Sequence, residues 1–411
     1  MRALVLGGAG AMGRWTIRDL TESDGVDAVV VADLDGARAR ETAGWAAAQA
    51  GSNGTAQVQG VALDAADGPA LRRAFEAVDV VCNCAVHATN LRVMAACADS
   101  GTHYVDLGGL FHTTRRQLAL HDRFVEAGAT AVVGMGGSPG TTNVMAALAA
   151  RGLDTVEAVE VRLGSVDLAP RVAPLPVPYA IQTLLDEFSV PAMAFRDGAF
   201  VEVPAMSEQE ELDFPPPVGR VRVGHTLHSE VATLPLYLAD RGIRSVTFKV
   251  GFAADFMDRM ALLAGLGLAA TDPVELPGGP VVPRDLLVRC IQETAARPGP
   301  DSAPDDAEAI WVRVRGRRAV RSGEPALAPQ TPVEVLAECV VVPDPAWRAG
   351  AGELDTGVPA SVVAQFLGHK LIDRPGVFAP EDAVPPEPYF AELARRHMEV
   401  AIVTRQPAAA G

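Results

Sequence analysis

Residues 4–15, LVLGGAGAMGRW, constrain the fold more tightly than any other stretch of the chain. An aliphatic run that reads as a buried strand (3–7) breaks into glycines and resumes as a helix (11–21). Glycine weakens the interior of either element, so Gly7, Gly8, Gly10 and Gly13 need a local reason. The last three stand in the spacing G-x-G-x-x-G. The first permits a tight turn, the second lets a pyrophosphate approach the backbone, and the third lets helix and strand pack closely. Ala11 and Met12, between them, offer the free N–H groups of a helix start to the phosphates. A second aliphatic strand, AVVVAD (28–33), ends in Asp33, where a carboxylate would bond the ribose hydroxyls of a dinucleotide. Asp35 follows, and no arginine comes before Arg38, so a 2′-phosphate would meet negative charge. NAD is therefore the expected cofactor, with NADP the alternative.

Strand and helix then alternate. VQGVALD (58–64), DVVCNCAV (79–86), HYVDL (103–107) and ATAVVGMG (129–136) read as strands, with helices at 68–77, 88–100 and 112–127 between them. This predicts an α/β fold: a Rossmann-type, doubly wound parallel sheet over residues 1–145. Ligands of such sheets sit at the carboxyl ends of the strands. Those ends carry Asp64, Cys84, Ala85 and Gly108 as candidate cofactor contacts, and Asp106 as a candidate base or amine-binding anion. In GGSPGTTN (136–143), Asn143 either caps the next helix or touches substrate.

After residue 150 the period changes. TVEAVEVRLG (155–164) sets Val159, Val161 and Leu163 against Glu160 and Arg162, and SVTFKVGF (245–252) sets Val246, Phe248 and Val250 against Ser245, Thr247 and Lys249. With 311–316 and 332–342 they predict a mostly antiparallel sheet, half apolar and half polar, in an inserted α+β domain (146–355). Helices are expected at 180–188, 231–240, 256–267 and 284–296. The proline-rich run 169–180 reads as an extended connection and 297–308 as a polar loop. Helices at 358–373 and 385–400 (within 356–411) are expected to return to the first domain.

Composition narrows the function. Asp and Glu outnumber Lys and Arg by 51 to 35, which argues against a nucleic-acid partner. No run approaches the ~20 apolar residues that cross a bilayer, so no membrane partner is expected. The amino terminus enters a strand directly, without the basic region and cleavage site of a signal peptide. Five cysteines, Cys82, Cys84, Cys97, Cys290 and Cys339, show no disulfide-framework spacing and suit a reducing cytoplasm. Cys82 and Cys84 read as a buried pair of small side chains. Lys249 and Lys370 are the only lysines, and Lys370 falls in a returning helix, which disfavours covalent lysine chemistry.

The first domain together with YVDLGG (104–109), GGSPGTTN (136–143), HSEVATLP (228–235) and GVFAPEDAVPPEPYFAELARR (376–396) resembles the saccharopine dehydrogenase-like superfamily. Within it the chain is most similar to lysine 6-dehydrogenase and saccharopine-reductase-like enzymes. The resemblance implies a Rossmann domain with an inserted substrate domain, a nicotinamide cofactor and a homodimer. It also implies NAD(P)-dependent chemistry at a CH–NH bond of an amino acid or imine conjugate, as in lysine 6-dehydrogenase-like oxidative deamination. The alternatives are a saccharopine-type reductase joining an amino acid to a carbonyl compound and a homospermidine-synthase-like transferase that recycles its NAD. A nucleotide sensor without a substrate site is the non-enzymatic reading. The substrate expected is a small amino-acid-like molecule or a polyamine.

An amine is mostly protonated near neutral pH and must lose that proton before its carbon gives up hydride. His228 and Glu230, in a polar segment opening a helix, are the candidate bases. His225 lies three residues earlier; the chemistry needs no His-His-Glu metal site, and no metal is expected. Tyr179 could donate a hydrogen bond to substrate, and Lys249 could hold a substrate carboxylate.

Overall fold

The computed structural model describes residues 1–50, 56–169, 175, 177, 179–294, 304–318 and 331–405. Six parallel strands come first: β1 (Arg2–Leu6), β2 (Ala28–Asp33), β3 (Gln57–Ala62), β4 (Val80–Asn83), β5 (His103–Asp106) and β6 (Thr130–Val132). Their spatial order, β3-β2-β1-β4-β5-β6, reverses between β1 and β4 and opens a crevice beside the glycine turn. Ala3 and Val5 look into one apolar cluster while Leu4 and Leu6 look into another. Burial on both faces explains why β1 reads as an unbroken aliphatic run rather than an alternating one. The predicted helix 112–127 is two helices, Leu110–Leu118 and His121–Ala127.

The second sheet is built from β7 (Thr155–Asp167), β8 (Ala192–Arg196), β9 (Ala199–Val203), β10 (Glu210–Asp213), β11 (Arg220–His225) and β12 (Ser245–Phe252). After a small hairpin, β13 (Val274–Leu276) with β14 (Gly279–Val281), it gains β15 (Asp306–Arg318) and β16 (Thr331–Val341). Its pairings are antiparallel except for β7 with β12. Alternation separates two faces. Leu163, Ser165, Phe248, Val250 and Glu308 share the inner one. On the outer face Glu160 accepts from Arg313 Nη1 at 3.2 Å and Arg315 Nη2 at 2.8 Å. The strand predicted at 311–316 is the middle of the longer β15, whose ends carry charges. Helices occupy Ile181–Ser189, Glu230–Tyr237, Ala254–Gly265 and Pro283–Thr294, close to the predicted spans. Much of the proline-rich run (170–174, 176 and 178) and residues 297–303 of the polar loop lie outside the described residues.

The carboxyl-terminal part serves both sheets. Helix Ala351–Gly368 begins before the predicted 358 because it runs through Pro359, which supplies no N–H to the Asp355 carbonyl. It lies close on helix Gly13–Glu22, where Thr16 Oγ1 donates to the Gly357 carbonyl at 2.8 Å. β17 (Gly376–Phe378) then adds a parallel seventh strand beside β6. Helix Pro386–Ala394 follows, and β18 (Val400–Arg405) pairs with β16 in the second sheet. Neither strand is signalled in the sequence, which suggested helices alone.

Asp19, on the first helix, is the clamp for this segment. It accepts from Ser361 Oγ at 2.6 Å and Arg396 Nη2 at 3.0 Å, and the Arg396 Nε bonds its other oxygen. Both ionic partners are largely buried, and Asp19→Ala leaves the Arg396 guanidinium with Glu392, 2.8 Å from its Nη1, as its one remaining carboxylate. Losing charge-assisted hydrogen bonds of this kind costs about 1.5–3 kcal/mol. Urea unfolding of the variant should show a lower midpoint by a corresponding margin, and an unchanged midpoint would remove the clamp from the account.

Candidate active site

The glycine turn is closed backbone on backbone. Gly7 has φ +72°, and a Cβ there would lie 2.7 Å from the Ala85 nitrogen. A Cβ on Gly13 would lie 2.5 Å from the Gly7 oxygen and 2.9 Å from the Gly8 Cα. At Gly10, by contrast, the Gly7 oxygen at 3.1 Å is the one neighbour a Cβ would meet, so its outer side is open to a ligand. The helix that follows has no side-chain cap at Met12; the Arg14 and Trp15 N–H groups bond the Gly10 and Met12 carbonyls, and those of Ala11, Met12 and Gly13 are left for an anion. These residues fit the pyrophosphate of a dinucleotide.

Asp33 ends β2 beside this turn and accepts the Ala9 N–H at 3.1 Å. The exposed Arg38 reaches back to the Ala9 carbonyl at 2.9 Å. The negative charge expected there is balanced by Arg38: a guanidinium and a carboxylate meet at Ala9, so the site suits NADP as well as NAD. Asp64 is exposed at the end of the edge strand β3, with its Oδ1 accepting the Ala66 N–H at 2.7 Å.

From this turn a cleft of about 410 Å³ runs between the two sheets. Ala11, Met12, Cys84, Ala85 and Gly108 line its dinucleotide side; Tyr179, His228 and Phe248 line the other. Burial pushes the Cys84 thiol up to about 12, so it is contact surface and no nucleophile. His228 leads into helix Glu230–Tyr237, and its ring stacks on Phe248 with centroids 3.9 Å apart and planes 8° from parallel. Its Nδ1 hydrogen-bonds Glu230 Oε2. Glu230 Oε1 accepts from Ser138 Oγ at 2.6 Å and Thr142 Oγ1 at 2.8 Å. An ionised carboxylate can only accept, so Nδ1 carries the proton and Nε2 is the nitrogen left to exchange one. Burial disfavours the imidazolium, but the Glu230 carboxylate more than offsets this and holds His228 above its ordinary value. For Glu230, burial is likewise outweighed by His228 and Ser138, and its carboxyl is held below the usual range.

The sequence brought other candidates to the wrong place. Asp106 is fully buried and accepts from Tyr104 OH at 2.8 Å, the Gly108 N–H at 3.0 Å, the Gly134 N–H at 2.7 Å and Gln117 Nε2. With its lone pairs committed it is a brace for the Gly108 and Gly134 turns, not a base. Asn143 caps its helix through the Gly140 N–H at 3.0 Å and bonds Thr233 and Glu381, away from the cleft. Lys249 points to the face opposite Phe248 and Val250, donating to the Glu208 carbonyl at 2.6 Å and pairing with Glu210 at 3.0 Å. His225 turns the same way, with its Nδ1 3.2 Å from the Phe248 carbonyl oxygen and its Nε2 3.2 Å from Glu208, so it does not converge with His228 and Glu230. Tyr179 does line the cleft, but its hydroxyl is engaged by Glu187.

Three carboxyls in the cleft were not anticipated: Glu187, Glu308 and Asp355. Burial pushes Glu187 up to about 7. The signal for Glu308 was an acid among alanines in DAEAIWV, lost because the strand was started at 311.

Comparison with known proteins agrees with this architecture. Residues 3–132 match the saccharopine dehydrogenase NADP binding domain, and residues 136–398 match the saccharopine dehydrogenase C-terminal domain. Carboxynorspermidine synthase of Vibrio alginolyticus is 26% identical over 332 residues, covering 77% of this chain and 75% of that protein. Carboxyaminopropylagmatine dehydrogenase of Synechocystis sp. is 24% identical over 257 residues, 59% of this chain and 62% of that protein. The apo saccharopine dehydrogenase (L-Glu forming) of Saccharomyces cerevisiae shares the fold, with a TM-score of 0.72 at 16% identity over 98% of this chain and 99% of that one.

Gly13→Ala forces a methyl group into the Gly7 carbonyl. The turn must shift, and affinity for NAD and NADP should fall about ten-fold or more, measured by titration on protein whose far-ultraviolet dichroism is unchanged. Undiminished affinity would show that the turn does not hold the dinucleotide.

Proposed function

Because this chain belongs to the saccharopine dehydrogenase family, with its NAD(P)-binding domain at the amino-terminal end, we propose that it acts on the CH–NH bond of a secondary amine joining a polyamine-like chain to an amino-acid fragment. The observation that carries this reading is the His228–Glu230 pair, held in the cleft wall across from the residues that line the dinucleotide side. The reaction class read from the sequence is kept. Of the substrates expected, an amino-acid-like molecule or a polyamine, the choice narrows to a carboxylated polyamine, supported by the names of the two similar proteins. The cleft supports the same choice: among the described residues lining it are three carboxyls and no Lys or Arg, a lining suited to ammonium groups.

In the joining direction a primary amine adds to an aldehyde, the adduct loses water, and the resulting imine is reduced. When bound, the reduced nicotinamide supplies the hydride. The amine must shed a proton to attack, and the adduct's oxygen must gain one to leave as water. His228 Nε2 can serve both moves in turn, because Nδ1 stays bonded to Glu230 throughout. Glu230 stabilises the imidazolium between the two moves, Ser138 and Thr142 hold the carboxylate, and Phe248 fixes the plane of the ring. Asp106 acts only by holding the Gly108 and Gly134 turns. In the reverse direction neutral His228 takes the proton from the secondary ammonium before hydride leaves.

The test pairs short diamines with amino-acid aldehydes and follows the reduced-nicotinamide band with NADH and NADPH in parallel. Consumption should require both co-substrates and give a product with the mass of the imine plus two hydrogens. Product without net change in the reduced nicotinamide would favour the recycling transferase; no turnover with any pair would sink the proposal.

A pH profile examines the base. In the oxidative direction kcat/KM should fall on the acid side as His228 takes up a proton, with a midpoint above the ordinary 6.5. Glu230→Gln removes the anion that favours the imidazolium, so this limb should move to lower pH. His228→Asn should lower kcat by about a hundred-fold or more while dinucleotide affinity is kept.

A further inference from the structure

Glu308 and Asp355 come from opposite parts of the fold, β15 and helix Ala351–Gly368, and meet in the cleft wall. Both are buried, at 7% and 3% exposure. Ser165 Oγ donates to Glu308 Oε1 at 2.9 Å, and Thr356 Oγ1 to Asp355 Oδ1 at 3.2 Å. Asp355 Oδ2 is buried and has no donor from outside the pair among the described residues; a hydrogen bond joins the two carboxyls. Neighbouring Asp306 is spent otherwise, accepting the Ala351 N–H at 3.0 Å. Gly352 lets the helix main chain lie against Glu308, since a Cβ there would lie 2.9 Å from Glu308 Oε1.

Two abutting buried carboxyls with no cation are costly to keep. Burial, and for Asp355 also the Glu308 carboxylate, pushes both groups up, so the empty pair retains a proton. A primary ammonium has three donors and one positive charge, so it can take the place of the retained proton between two carboxyls that no other cation meets. Resting on the polyamine reading above, we infer that Glu308 and Asp355 anchor the distal ammonium of the substrate and select diamines over monoamines. The reacting nitrogen lies at the His228 end, and the anchor acts on the far one.

Calorimetric titration of the NADP-saturated protein with putrescine and with n-butylamine tests this without turnover. Putrescine should bind roughly ten-fold or more tightly than n-butylamine. Glu308→Gln and Asp355→Asn, both close in shape, should each remove most of that preference while dinucleotide affinity and Tm are retained. A preference surviving both substitutions overturns the anchor. So does a wild-type protein that binds the two amines alike, whatever the variants do. The two readings can fail separately. A preference that depends on the pair, in a protein inactive with every amine and aldehyde, supports the anchor and sinks the redox proposal. An active protein whose amine preference ignores the pair does the reverse.

Discussion

At the carboxyl end of the parallel sheet, main chain lies against main chain with no room for a methyl group. Gly7 meets Ala85 there, and Gly13 meets Gly7 and Gly8. This contact is possible at the point where the strand order reverses, because β1 and β4 are neighbours whose following loops diverge. It fixes the start of the first helix, and with it the direction in which unpaired N–H groups face. Asp106 does the same work one strand further on, drawing the Gly108 and Gly134 turns onto one carboxylate. The floor of the cleft is therefore rigid main chain, and the variable chemistry is left to side chains that face it.

Those side chains belong to the seam between the sheets. Glu230 lies on a helix of the second domain, yet two of its hydrogen-bond donors, Ser138 and Thr142, come from the turn after β6 and the start of the helix Thr141–Ala150 that follows it. The proton-moving pair is thus assembled by the docking of the domains. A change in their packing would alter the orientation and proton affinity of His228 before it altered either core.

The sequence carried the parts of the site that depend on local backbone geometry. The glycine spacing, the strand ending in Asp33 and the polar segment at His228 and Glu230 all required short-range reasoning, and each falls at the cleft or its dinucleotide end. Period-two alternation correctly separated Lys249 from Phe248 and Val250, but it could not say which face of β12 looks on the cleft. Asp106 and Asn143 occupied the right kind of position, at a strand end and a helix start. Only the fold shows that their hydrogen-bonding capacity is already taken. Glu308 and Asp355 were invisible because each sits where an element was begun too late: β15 starts before 311, and the helix continues through Pro359.

The tail has a mechanical consequence. The chain passes from the first sheet to the second between β6 and β7, back between β16 and β17, and over again between β17 and β18. Three strands of polypeptide therefore span the joint. Separating the lobes must bend all of them together, so access to the interior should come through shallow breathing, not the wide swing of a body hung on a single thread.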